Sequence, residues 1–182
     1  AAYSMRHIAE IAVPSCSGPL QAEVFEADSR GVPITLIDGE PIRRTPGVYG
    51  EPEPMAAKFA FFCLAALEAC EATGWMPDII HAHDWHTAPA VVWLAREGRQ
   101  RPGWSRVASV FTIHNLAYMG SGGESGLAEF GIVPSEDVRL PTWARALPLP
   151  LALVHADWLT TVSPSYAREI QTPAFGYGLE PF

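Results

Sequence analysis

The sequence predicts an α/β fold in which a doubly wound parallel sheet carries helices on its faces. Short apolar, β-branched runs at 79–80, 107–113 and 158–162 alternate with stretches of helical character. Each run gives way at its carboxyl end to polar residues: His81 to His86, His114-Asn115 and Ser163. In an open sheet of this kind ligands bind outside the carboxyl ends of the strands. The pattern that predicts the fold therefore also points to where a site would lie.

Taken in order, residues 1–20 carry no clear period, and Pro14-Ser15-Cys16-Ser17-Gly18-Pro19 reads as a turn-rich loop. Residues 20–27 alternate apolar and polar side chains and predict a strand. Gly31 interrupts it, and 32–37 follows as a second strand, so the two form a hairpin. Residues 38–54 hold four prolines and three glycines and predict a loop, which carries Tyr49. Residues 55–73 predict the clearest helix, with no Pro or Gly inside and Gly74 at its end. Only Lys58, Glu68 and Glu71 are charged in it, so it should be buried over most of its circumference. A second helix is expected over 87–97, closed by Gly98. Residues 120–126 include four glycines and predict a mobile loop. Pro134, Pro141, Pro148 and Pro150 limit any helix in 127–150 to short pieces. After the strand at 158–162, Ser163 caps a helix with Pro164 in its first turn. There is no internal repeat.

Bulk properties narrow the function. A chain of 182 residues that is 48% hydrophobic builds one domain with a real core. Its net charge of -8, with no Lys/Arg cluster, argues against nucleic acid or an anionic membrane as the main partner. Apolar runs such as 59–67 are too short to span a bilayer. Cys16, Cys63 and Cys70 make no disulfide framework. Cys63 and Cys70, seven apart on one helix, read as core thiols of a reducing compartment, the cytoplasm. No signal-peptide pattern stands at the N-terminus. The chain opens Ala1-Ala2-Tyr3 without Met and stops at Pro181-Phe182, as if both ends were cuts through something larger.

The histidine cluster carries the chemistry. Strand alternation puts His81 and His83 on one face, which a metal would accept. However, no Cys or second carboxylate lies nearby, and Asp84 comes one residue too early for the metallo-hydrolase pattern it approaches. The expectation is no metal, with His81 and His83 as packed, hydrogen-bonded sheet residues. Asp84 and His86 read as ligand groups. A carboxylate there accepts sugar hydroxyl hydrogen bonds or supports a developing positive charge. His114-Asn115, taken alone, reads as a strand-end turn; at an equivalent strand end beside the first cluster, a site role stands level with that reading. Tyr49 either stacks on a sugar or packs on the domain edge. The start of the helix after Ser163 reads as a well-capped terminus more than as an anion site. No Lys-Ser/Thr follows the glycines of 120–126, so they match no phosphate loop.

The stretches "PDIIHAHDWHTAPAVVWLA", "VFTIHNLAYMG" and "ADWLTTVSPSYAREIQTPAFGYGLE" resemble the glycogen synthases and bacterial starch synthases that use ADP-glucose. The motifs fall in the family's order, the match runs from about residue 20 onward, and Arg44 to Gly50 with Tyr49 fits more loosely. The resemblance implies the Rossmann-like N-terminal half of a two-domain GT-B glycosyltransferase, spanning 1–182, with the C-terminal nucleotide-binding domain outside the chain. It implies retaining transfer of glucose from ADP-glucose to an α-1,4-glucan, without a cofactor. It makes Asp84 and His114 the catalytic candidates, His114 near the transferred glucose, and Tyr49, His86 and Asn115 the substrate-binding ones. The chain alone is then expected to be inactive, because half the cleft is missing.

Departures from the family pattern are also present. The Lys-x-Gly-Gly-Leu loop is absent, Pro54-Met55 stand where an Asp-Asn pair is usual, Met119 stands for Gln, and Pro150 stands for Lys. The last three motivate a second reading, a non-catalytic carbohydrate-binding or regulatory module derived from a synthase. A third, a metal-dependent hydrolase, rests on the histidines alone. A sheet lacking the family's first strand would leave an unpaired edge that invites self-association.

Overall fold

The computed structural model describes residues 5–182 and contains two three-stranded sheets. The first is an antiparallel meander of β1 (Arg6–Val13), β2 (Leu20–Ser29) and β3 (Val32–Gly39). The predicted hairpin is β2–β3. Its turn residues, Arg30 at φ 56 and Gly31 at φ 84, supply the two positive φ angles that a tight hairpin needs. β1 was not expected. Its pairing with β2 slips between His7 and Ala9, and that irregularity erases the period-2 signal.

Two helices follow. The one-turn α1 (Glu40–Arg44) lies within the segment expected to be loop, with Pro41 in its first turn, where a missing N–H costs nothing. The long α2 (Pro52–Thr73) starts three residues before the expected helix for the same reason. Pro52 and Pro54 fall among the N–H groups that have no partner inside the helix. Gly74 caps its end, as expected. Ala56, Ala60, Phe61, Cys63, Leu64 and Leu67 bury it, and it packs on β1, α3 and α4, defined below.

The second sheet is parallel, with β4 (Ile79–His83), β5 (Ala108–Ile113) and β6 (Trp158–Thr161) in that order. α3 (Asp84–Arg96) connects β4 to β5. It begins at Asp84, three residues before the expected helix. Between β5 and β6 lie α4 (Glu124–Ala128) and α5 (Pro148–His155), and α6 (Pro164–Ile170) follows β6. Ala82, Phe111 and Ile113 face a core built with Trp85, Val91, Val92, Leu94, Leu149 and Leu151. On the other face Ile79 and Trp158 are 56% and 71% exposed. Among the described strands β4 pairs only with β5. The expected mobile loop at 120–126 instead runs into α4, and Gly126 lies directly against the α2 backbone at Glu53 and Ala57, where a Cβ would collide. Close packing, not mobility, explains that glycine.

The three cysteines are free. Cys63 is buried, and burial pushes its thiol up to about 12 against a backbone hydrogen bond at Ala90, so it is the inert core thiol expected. Among the described residues no helix is long and apolar enough to cross a membrane.

Candidate functional site

The site grows from an abrupt change of backbone direction. His83 ends β4 in extended conformation, and Asp84 then turns at φ 55 into α3. Aspartate is one of the few side chains that adopt this left-handed conformation at modest cost. The Thr87 hydroxyl ties the turn together, accepting from the His83 N–H at 2.5 Å and donating to the His83 carbonyl at 2.8 Å. Asp84, Trp85 and His86 therefore lie in the first helical turn.

Asp84 also fixes the next strand end. Its Oδ1 accepts the N–H of His114 at 2.7 Å and that of Asn115 at 3.4 Å. Asn115 continues the turn: its Oδ1 accepts from Ala117 N–H at 3.1 Å and its carbonyl from Tyr118 N–H at 3.2 Å. The third strand end joins through α6, whose Tyr166 hydroxyl accepts from Leu116 N–H at 2.8 Å. The capped helix start is as expected, with Ser163 Oγ accepting from Tyr166 N–H.

Above these turns opens a cleft of about 470 Å³ lined by Tyr49, Met55, Asp84, Trp85, His86, Asn115 and Tyr118. Tyr49 and Tyr118 are 71% and 67% exposed. The His86 ring stacks on Trp85 with centroids 4.2 Å apart and meets Phe59 and Tyr49 edge to face at 4.7 and 5.7 Å. Its Nε2 is buried without a hydrogen-bond partner among the described residues. Burial lowers the His86 pKa; Asp84 opposes the shift and Lys58 adds to it. The ring is therefore a neutral imidazole at pH 7, able to donate or accept one hydrogen bond inside an aromatic enclosure.

Four of the five candidate residues thus line one cleft, and the fifth does not. The His114 ring turns to the exposed sheet face, where its Nε2 lies 3.0 Å from Nδ1 of His83. One ring donates and the other accepts, so at least one of the pair is neutral. His81 and His83 are hydrogen-bonded sheet residues. His81 Nε2 meets Thr112 Oγ1 at 2.7 Å, which meets Thr160 Oγ1 at 2.7 Å. The His83 pKa is lowered by burial and by the neighbouring His81 and His114, against Asp84. Among the described residues no three His, Cys, Asp or Glu side chains converge as metal ligands. The sequence did not single out Met55, Trp85 or Tyr118 as lining the cleft, nor Phe59 as enclosing His86. Of these only Tyr118 had a local signal, standing three residues after Asn115 in the same turn.

Comparison with known proteins agrees with this architecture. The family model of the starch synthase catalytic domain matches residues 2–182. A glycogen synthase of Desulforudis audaxviator (strain MP104C) is 37% identical over 158 residues, 86% of this chain and 31% of that protein. A glycogen synthase of Streptococcus equi subsp. equi (strain 4047) is 44% identical over 141 residues, 73% of this chain and 28% of that protein. Among solved structures, the catalytic domain of starch synthase IV from Arabidopsis thaliana bound to ADP and acarbose matches with a TM-score of 0.83 at 27% identity. That match covers 98% of this chain and 38% of the other. The chain spans about a third of the length of these relatives.

Proposed function

The chain belongs to the starch synthase catalytic domain family, and we propose that it forms the acceptor side of a cytoplasmic glucosyltransferase that extends an α-1,4-glucan from ADP-glucose with retention. The observation that carries this reading is the unpartnered, buried Nε2 of His86 inside an aromatic-lined cleft. Apolar sugar faces stack on rings such as Tyr49 and Tyr118, and hydroxyls need fixed polar partners between them. His86 Nε2, the Asp84 oxygen not used by the backbone and the Asn115 side-chain amide are such partners. That the Arabidopsis protein is bound to ADP and acarbose supports the same ligand classes.

In this mechanism the transferred glucosyl group passes through an oxocarbenium-like state. Asp84 is held by two backbone N–H groups, so its charge is already oriented toward the developing positive charge and needs no reorganisation. His114 serves this side through its backbone N–H, which orients Asp84, while its ring stays hydrogen-bonded to His83 outside the cleft. The donor nucleotide is held by a second domain outside this chain, and the 182 residues alone turn over no ADP-glucose. Turnover by this chain in a sensitive transfer assay would refute that last point.

Met119, which stands where the family carries Gln, is buried at 7% exposure and offers the cleft no polar group. It favours the second reading, a carbohydrate-binding module without catalysis. Titration with maltoheptaose followed by amide NMR tests what both readings share. Shifts should cluster around Asp84, His86 and Asn115, and His86→Ala should weaken binding about tenfold, the worth of one buried hydrogen bond. Unchanged affinity in His86→Ala would sink the assignment of the cleft. Joining the chain to a donor domain of the family then separates the two readings, since only the enzyme gains turnover.

A further inference from the structure

Among the described residues Lys58 is the one charged side chain that is buried, at 6% exposure. No carboxylate bridges it. Its ammonium donates instead to three backbone carbonyls, those of Gly47 at 2.5 Å, Val48 at 3.0 Å and Thr45 at 3.4 Å. It also lies 4.9 Å from the centroid of the Phe59 ring. An ammonium carries three donors, and each has an oxygen here, which is what a buried cation requires. The three carbonyls belong to the segment between α1 and α2, immediately before Tyr49. Among the described backbone hydrogen bonds outside helices and strands, none joins residues 46–50 to another segment. One side chain of α2 therefore ties down a loop that has few other ties.

That loop forms a wall of the cleft. Tyr49 is 71% exposed and reaches His86 edge to face, while the neighbour of Lys58 on the helix, Phe59, meets the same His86 ring from another side. We propose that Lys58 is a positioning residue of the cleft: by gathering the carbonyls of Thr45, Gly47 and Val48 it sets Tyr49 against His86 and so shapes the surface that meets the sugar. Its own Nζ is spent on the backbone and touches no substrate. Losing the charge leaves three carbonyls without their shared donor, and with no other described backbone hydrogen bond joining residues 46–50 to another segment, the loop is free to lift away and take Tyr49 with it. The sugar-binding half of this inference rests on the glucan reading of the cleft; the loop-setting half does not.

The test is a double-mutant cycle on the full chain with maltoheptaose as probe, read beside the NOE between the Tyr49 and His86 ring protons. Lys58→Met keeps the aliphatic stem and should weaken binding about tenfold, as should Tyr49→Ala. The double variant should bind no worse than Tyr49→Ala alone, because Lys58 acts through Tyr49. Lys58→Arg should recover affinity to within about threefold, since it restores charge and donors. The NOE should persist in the wild type and Lys58→Arg and vanish in Lys58→Met. If Met at this site unfolds the chain, Lys58→Gln serves the same comparison. Additive losses in the cycle, or an NOE that survives removal of the charge, would overturn the proposal. If the wild type binds no maltoheptaose, the glucan reading fails while the NOE still decides whether Lys58 sets the loop.

Discussion

In the antiparallel meander successive strand ends fall on opposite edges, whereas in the parallel sheet the carboxyl ends of β4, β5 and β6 all fall on one. The meander's ion pairs, Arg6–Glu26 and Arg43–Asp38, are solvent-exposed, and no cleft residue lies on its strands. It acts through α2. Ile11, Val13, Ala22 and Val24 join the same core as that helix, and the helix carries Met55, Lys58 and Phe59 to the cleft. The parallel sheet acts directly, because its three carboxyl ends share a margin where Asp84 links the first to the second and Tyr166 links the third. Parallel pairing gathers strand ends, and gathered ends can share a ligand.

This division between frame and site can be broken by measurement. The largest effect is expected from Phe111→Ala, at the fully buried centre of the middle parallel strand. It should cost about 3–5 kcal/mol and melt both sheets together in urea, since one core cluster joins them. Separate transitions would show two independent units. Val24→Ala, fully buried in the meander, should cost about 2 kcal/mol yet leave maltoheptaose affinity unchanged below its midpoint. An affinity loss matching that of Tyr49→Ala would abolish the division.

Asp84→Ala should cost about 1 kcal/mol, the net worth of hydrogen bonds to N–H groups that water can then reach. It should also speed amide exchange at His114. Asp84→Asn keeps the acceptor and should exchange like the wild type.

The smallest effect is a pH slope. His83 and His86 both sit below the ordinary 6.5, with burial the largest cause. The folded chain refuses protons that the unfolded chain accepts, so stability is fully present above 6.5 and declines as pH falls through 6.5 toward the folded values. His155 on α5, lowered by burial and Arg96, contributes in the same direction. A His83→Gln/His86→Gln double variant should show a shallower decline in urea midpoints, and an unaltered slope would locate the titrating groups elsewhere.

The sequence made the parallel half legible because its signals are local and strong: apolar β-branched runs, polar strand ends and a capped α6. β1 escaped because a bulge breaks alternation, and the early start of α2 escaped because prolines read as loop until they fall in a first turn. The starting point of α3 is not legible because the sharp turn at Asp84 is a backbone property that residue identity only permits. The orientation of His114 was within reach. Val110, Thr112 and His114 continue one parity, and pairing β4 with β5 in register puts that parity on the side of His81 and His83. That argument required knowing which strands are neighbours. The grip of Lys58 on residues 45–48 had no sequence signal, because carbonyl partners leave no trace in residue types.

The turn at Asp84 also has a consequence for how this protein diverges. Its backbone angle admits few residue types, and its carboxylate holds two amides whose link to this turn only another side-chain oxygen would keep. Asparagine meets both demands and lies a single base change away from either aspartate codon. Glycine, equally near, meets only the first. Neutral drift at this position is thus confined to one corridor, and a copy of the gene that leaves it by any other route gives up the link between its first two strand ends before any change reaches the cleft's aromatic walls.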